Sequence, residues 1–253
     1  MYAAERQQRM LQEARDRGRV DVAGLADSLG VTAETIRRDL TALERHGLLR
    51  RVHGGAIPLD RLGFEPGLAA RDAVLTVEKE RIAKAALEQL PTEGAILLDS
   101  GTTTARLADA LPTDRDLTVV TNSLPIAMKL SGRPNLTLLL LGGRVRGRTL
   151  AAVDVWAMRA LEDTFVDVAF MGTNGFSVPR GLTTPDPTEA AVKRAMIGAA
   201  RRVIVLADHT KFGNDALMRF GSFEDVDTLI TDSGLEVELV GGIESAGVSV
   251  VRA

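Results

Sequence analysis

Two sets of residues in this chain have the types and spacing to do chemistry. The first is Asp99-Ser100-Gly101-Thr102-Thr103-Thr104, where a carboxylate, hydroxyls and a glycine follow an apolar run and lead into a helical pattern. The backbone N–H groups of a helix start lack intrahelical acceptors, so together with nearby hydroxyls they cradle a phosphate. Other apolar runs end in a similar way, in Thr121-Asn122-Ser123, Gly142-Gly143-Arg144, Gly172-Thr173-Asn174-Gly175 and Ala207-Asp208-His209-Thr210-Lys211. One such turn alone is usually only a helix cap, whereas several at one edge of one sheet make a polar pocket. The second set lies in Val31 to Arg45, where arginines and threonines recur at helical spacing. A short helix that exposes guanidinium and hydroxyl groups fits the DNA major groove.

The elements that must hold the second set can be read around it. Ile36, Leu40 and Leu43 stand at i, i+4 and i+7 and form one apolar stripe. At about 100° per residue, Glu34, Arg38, Thr41 and Arg45 fall on the opposite face, with Thr35 and Arg37 at its margins. Thr32 suits the N-cap and Gly47 the stop. Upstream, Glu5 to Arg17 reads as a helix closed by Gly18, Val20 to Val22 as a short strand, and Ala23 to Leu29 as a second helix closed by Gly30. Helix, tight turn and helix make a helix-turn-helix. Leu48 to Val52 and Ala56-Ile57, joined through His53-Gly54-Gly55, then form a wing carrying Arg50, Arg51 and His53. A domain at 1–57 is expected, followed by a linker at 58–76.

From 77 to 253 the pattern changes. Apolar runs at 95–98, 117–120, 136–141, 166–171, 203–206, 226–230 and 248–251 are candidate strands, with helical stretches between most of them and one at Glu78 to Leu90 ahead of them. Nearly continuous apolar strands alternating with helices predict a largely parallel sheet covered on both faces, with ligands at the carboxyl ends of its strands. A length of 253 residues suits two unequal domains. The absence of cysteine excludes disulfides and thiolate metal sites, and histidines scattered at 46, 53 and 209 argue against a histidine-built one. Residues 1–57 hold ten arginines against eight acidic residues, while the rest of the chain is acidic. That asymmetry suits DNA contact by the small domain alone. The charged start, Met1 to Arg19, and the lack of a span-length apolar run predict a cytoplasmic protein with no membrane contact.

Taken together, these residues resemble the DeoR family of bacterial transcription regulators over almost the whole chain. The likeness rests on Thr35-Ile36-Arg37-Arg38-Asp39-Leu40 and Arg51-Val52-His53-Gly54-Gly55-Ala56 in the N-terminal part. In the C-terminal part it rests on Asp99 to Thr103, Thr121-Asn122, Gly142-Gly143, Gly181 to Asp186, Glu189-Ala190 and Asp208 to Gly213. The resemblance implies a winged helix-turn-helix followed by a Rossmann-like α/β sensor domain similar to ribose-5-phosphate isomerase and glucosamine-6-phosphate deaminase. It implies a homodimeric or homotetrameric repressor of a sugar-utilisation operon, released from its operator by a phosphorylated sugar such as fructose 1-phosphate, with no cofactor or metal. Thr32, Glu34, Thr35, Arg37, Arg38, Thr41, Arg45, Arg50, Arg51 and His53 are then the expected DNA-binding residues. Ser100, Gly101, Thr102 and Thr103 would hold the phosphate, Asp99, Asn122, Glu189 and Lys211 would meet hydroxyls or phosphate, and Arg144 would be a second anion contact. Thr121, Gly143 and Asp186 complete the expected effector set. The rival is a sugar-phosphate isomerase or deaminase with an appended regulatory domain, using Asp186, Glu189 and Lys211 for proton transfer. It leaves the winged helix without a purpose. An architectural DNA-binding protein without a ligand leaves the polar strand ends unexplained.

Overall fold

The computed structural model describes residues 2–17, 19–58 and 65–253. Gly18 and the first part of the expected linker, 59–64, lie outside the described residues. The chain divides into two compact units, Met1–Leu75 and Thr76–Ala253.

The first unit runs α1 (Ala3–Arg17), β1 (Val20–Asp21), α2 (Val22–Leu29), α3 (Ala33–Arg45), β2 (Leu49–Val52), β3 (Gly55–Pro58) and α4 (Leu68–Asp72). Local chemistry sets these ends. The Asp21 carboxylate accepts the Gly24 N–H at 2.7 Å and caps α2, which closes on left-handed Gly30. Thr32 Oγ1 accepts the Thr35 N–H at 3.2 Å at the start of α3. Past α3 the Leu48 N–H reaches back to the Leu43 carbonyl at 2.9 Å, which needs Gly47 at φ +69°. The three strands pair antiparallel in the order β1-β3-β2. Where β1 crosses β3 the backbones are so close that a Cβ at Gly55 would lie 2.0 Å from the Val20 carbonyl oxygen. Met10, Leu25, Ile36, Leu40, Leu43 and Leu49 make the core. Full burial of each of its larger side chains contributes about 1.5–3 kcal/mol. The short helix α4 falls within the segment expected to be the linker.

The second unit begins with α5 (Thr76–Ala86) and continues β4 (Gly94–Leu98), α6 (Thr102–Ala110), β5 (Leu117–Thr121), α7 (Leu124–Leu130) and β6 (Leu136–Leu140). A hairpin, β7 (Arg144–Arg146) and β8 (Ala151–Val153), leads to α8 (Val155–Glu162) and β9 (Val166–Gly172). Then come β10 (Gly175–Ser177), β11 (Gly181–Thr184), α9 (Pro187–Gly198), β12 (Ala200–Leu206), β13 (Met218–Gly221), β14 (Thr228–Thr231), α10 (Val237–Glu244) and β15 (Ser249–Arg252). Among the described residues the main sheet has the order β15-β14-β12-β9-β4-β5-β6 and is parallel throughout. Side chains alternate across it: Ile96, Leu98, Val168 and Phe170 pack under α5, α6 and α7, while Leu97, Ala169 and Met171 face α8 and α9. The chain leaves β4 toward β5 on one side and returns through β9 on the other. The carboxyl ends of β4 and β9 therefore meet at the switch point where such sheets bind ligands.

Candidate functional site

In α3 the apolar stripe is consumed by the core, and Glu34, Arg37, Arg38 and Arg45 stand exposed. Glu34 lies 3.6 Å from Arg37 and partly balances its charge. Thr41 is half-buried; its hydroxyl donates to the Arg37 carbonyl at 2.8 Å and accepts from the Arg51 guanidinium at 3.3 Å. The Arg51 N–H also donates to Glu44 at 2.9 Å, so the wing is tied to α3 at two points. Arg38, Arg45, Arg50 and His53 are exposed, and their side chains have no partner among the described residues. Those groups are available to phosphates or base edges. Sequence periodicity missed Asp39, which is buried and receives Arg6 Nε at 2.5 Å and Gln7 Nε2 at 2.9 Å.

In the sensor unit the expected residues gather where β4, β5 and β9 end. Asp99 is fully buried; its Oδ2 accepts the Gly172 N–H at 2.9 Å and pairs with the buried Lys193 ammonium. Lys193 also donates to the Gly172 carbonyl at 3.0 Å. Asp99 Oδ1 is buried and has no hydrogen-bond partner. The Ser100 N–H donates to Asn122 Oδ1 at 3.1 Å, and the Asn122 amide donates to the Ala152 carbonyl at 3.2 Å. Gly101 precedes α6 without a side-chain cap, so the first-turn N–H groups of Thr102 and Thr103 face a dipole-positive helix start. Thr104 is spent on the Gly101 carbonyl at 3.1 Å, and Thr121 on the Leu98 carbonyl at 2.6 Å and the Ser123 N–H at 3.1 Å. Thr121 is thus a strut of the turn.

The hairpin and α9 supply a second group. Asp186 caps α9 through the Thr188 and Glu189 N–H groups at 2.9 and 3.0 Å, and Arg146 joins it at 3.0 Å. Burial pushes the Asp186 carboxyl up, but the Thr188 hydroxyl, those N–H groups and Arg146 outweigh it and hold it below the usual range. Buried Glu189 accepts Arg146 at 3.0 Å, the Thr149 hydroxyl and, at 3.5 Å, the Thr184 hydroxyl. Gly143, at φ +137°, brings the backbone so close to Val153 that a Cβ would stand 2.4 Å from its carbonyl. Arg144 is exposed and pairs with Asp154 at 2.7 Å, so the hairpin's inward cation is Arg146. Lys211 sits in a turn just past β12, and its ammonium has no partner among the described residues. Beside it the His209 ring nitrogen Nδ1 lies 2.7 Å from Asp232. Lys193, Arg146 and Thr149 were absent from the sequence reading. Lys193 alone left a signal, standing one helical turn after Glu189.

A winged helix-turn-helix unit and an α/β unit with an uncapped helix start at its switch point together define a ligand-sensing DNA-binding regulator. Residues 6–61 match the DeoR-like helix-turn-helix domain and residues 75–233 the DeoR C terminal sensor domain, and the chain belongs to the DeoR family. It is 39% identical to the HTH-type transcriptional regulator GlpR of Haloferax volcanii, over 99% of this chain and 98% of that one. It is 32% identical to the putative aga operon transcriptional repressor of Escherichia coli O157:H7, over 98% of this chain and 93% of the other. It is also 32% identical to the glycerol-3-phosphate regulon repressor of Escherichia coli K12, over 92% of each. Among solved structures, the full-length sorbitol operon regulator SorC from Klebsiella pneumoniae aligns over 95% of this chain and 97% of its own, at 13% identity and a TM-score of 0.45. Ribose 5-phosphate isomerase A from Methanocaldococcus jannaschii aligns over 54% of each chain, at 17% identity and a TM-score of 0.40. The protein is a transcriptional regulator and not an enzyme. No described helix is long and apolar enough to cross a membrane.

Proposed function

We propose that the protein represses a sugar-utilisation operon in the cytoplasm and leaves its operator when a phosphorylated sugar occupies the sensor unit. The observation that carries this is the pairing of an uncapped α6 start with the partnerless, buried Oδ1 of Asp99. The helix start favours an anion, and a buried carboxylate oxygen calls for a donor such as a sugar hydroxyl. Lys193 already balances the Asp99 charge, so the partner required at Oδ1 is a neutral hydroxyl. Ser100, Thr102 and Thr103 meet the phosphate, with Lys211 as its cation; Asn122 and Glu189 orient the sugar. Glu34, Arg37, Arg38 and Arg45 of α3 face the major groove, and Arg50, Arg51 and His53 of the wing face phosphates. Two copies at least act together, each meeting one half-site.

The test uses a duplex selected by the protein from a random pool. Fructose 1-phosphate, glycerol 3-phosphate, fructose and inorganic phosphate are each titrated into the complex, with thermal shifts recorded in parallel. Release and stabilisation by a phosphorylated compound, with unphosphorylated fructose inert, is the expected result. If fructose 1-phosphate fails where glycerol 3-phosphate succeeds, the sugar assignment falls while the site stands. Release by none of them overturns the effector reading.

A further inference from the structure

We infer that Asp39 is a positioning residue for DNA reading: together with Arg6 and Gln7 of α1 it fixes the rotation of α3 about its own axis. The inference rests on α3 being the DNA-reading helix. Asp39 is next in sequence to Arg38, yet Asp39 is buried where Arg38 is exposed. Both its oxygens are used, Oδ2 by Arg6 Nε at 2.5 Å and Oδ1 by Gln7 Nε2 at 2.9 Å. The Arg6 and Asp39 side chains are about nine-tenths buried, at 11% and 7% exposure.

A buried ion pair is a poor stabiliser, because desolvation of both charges offsets their attraction and apolar pairs often do as well. What it supplies is direction. The Ile36, Leu40 and Leu43 packing sets which face of α3 turns inward, but these apolar contacts are non-directional and leave its fine rotation to polar ties. A small rotation swings the tip of a long arginine by ångströms, enough to lose a bidentate base contact. Two donors from consecutive α1 positions, each on a different oxygen of one carboxylate, remove that freedom. The brace also lies in the right place. Arg6, Gln7 and Asp39 line the same cleft between α1 and α3 as Thr35 and Arg38.

The test compares the full-length parent with Arg6→Met/Asp39→Leu, which removes one charge of each sign and leaves net charge unchanged. Affinity is measured for the selected duplex and for a scrambled duplex of equal length, alongside a thermal melt and the salt dependence. The expected result is a melt at or above the parent's and scrambled-duplex affinity within twofold. The ratio of selected to scrambled affinity should fall at least tenfold. Gln7→Leu should give a smaller fall of several-fold. An unchanged ratio in the double variant overturns the inference, and so does its unfolding, which would assign the pair to stability. Arg38→Ala is the control for the underlying reading: if it too keeps the ratio, α3 does not read the DNA, whereas loss there with retention in the double variant removes the positioning role alone.

Discussion

At Arg38 the side chain stands opposite a stripe that the core consumes, so its removal touches binding and not folding. Arg38→Ala should lose about 1–3 kcal/mol of operator discrimination, the usual yield of one base contact, with an unchanged circular dichroism melt. Lys193 presents the reverse case. It is buried with the fully buried Asp99, so Lys193→Met leaves an uncompensated charge. Chemical denaturation should show the sensor unit weaker by about 3–5 kcal/mol, while the N-terminal unit keeps its own stability. The pair His209–Asp232 sets a pH dependence. The hydrogen bond that His209 donates to the Asp232 carboxylate raises the His209 pKa against the opposing effect of burial. Burial pushes Asp232 up, but its bonds to His209 and Gly234 draw it down to about 2. A raised histidine contributes stability below its unfolded value of about 6.5 and loses it as pH climbs through the folded value. A lowered carboxyl contributes above about 3.9 and loses that as pH falls toward its folded value. The parent should therefore exceed His209→Gln most between those limits, and the gap should narrow as pH rises. A gap that widens toward alkaline pH would show that the pair does not hold this turn.

At the level of elements, the wing and α3 are proposed to share the DNA face but to differ in what they read. Arg50 is on exposed β2 with no partner among the described residues, as a phosphate contact requires. Arg50→Ala should weaken binding to every duplex alike and flatten the salt dependence by about one phosphate's worth of slope. If the preference among operator variants shifts while the slope holds, the wing reads bases instead. Elements also mark what a sequence discloses. The strands of the parallel sheet were legible as apolar runs, because burial on both faces makes the central stretches of β4, β5, β9 and β12 hydrophobic. The short hairpin strands β7, β8, β10 and β11 were not, since three or four residues establish no period. Yet β7 and its turn bring Arg146 and Thr149 to Glu189. The site was legible where its residues adjoin strand ends, as with Asp99 and Asn122, and hidden where only tertiary packing makes the contact. The role of Asp39 was hidden for the same reason: helical spacing shows a face, and cannot show that α1 supplies an arginine to it.

For the molecule as a whole, a sensor is useful only if its ligand changes the hold on DNA. A ligand of equal affinity for the DNA-binding and the released arrangement shifts nothing, however tightly it binds. Full conversion between them needs a preference of about 10⁴-fold, which implies that much of the binding energy comes from contacts made in one arrangement only. A phosphate dianion in the proposed site would offer such contacts, since the α6 start would give it neutral N–H and hydroxyl donors while Lys211 carries an unmatched positive charge. The fructose skeleton without its phosphate should therefore lose most of the affinity. Thr102→Ala combined with Lys211→Ala removes one neutral donor and the cation while leaving α3 and the wing untouched. The double variant should hold the selected duplex as tightly as the parent and melt as a folded protein. Titration of effector into the complex should release the parent and leave the variant bound, giving a repressor that no longer responds. Should both leave the DNA at the same effector concentration, the ligand pocket lies elsewhere in the sensor unit and the α6 start serves only to end a strand.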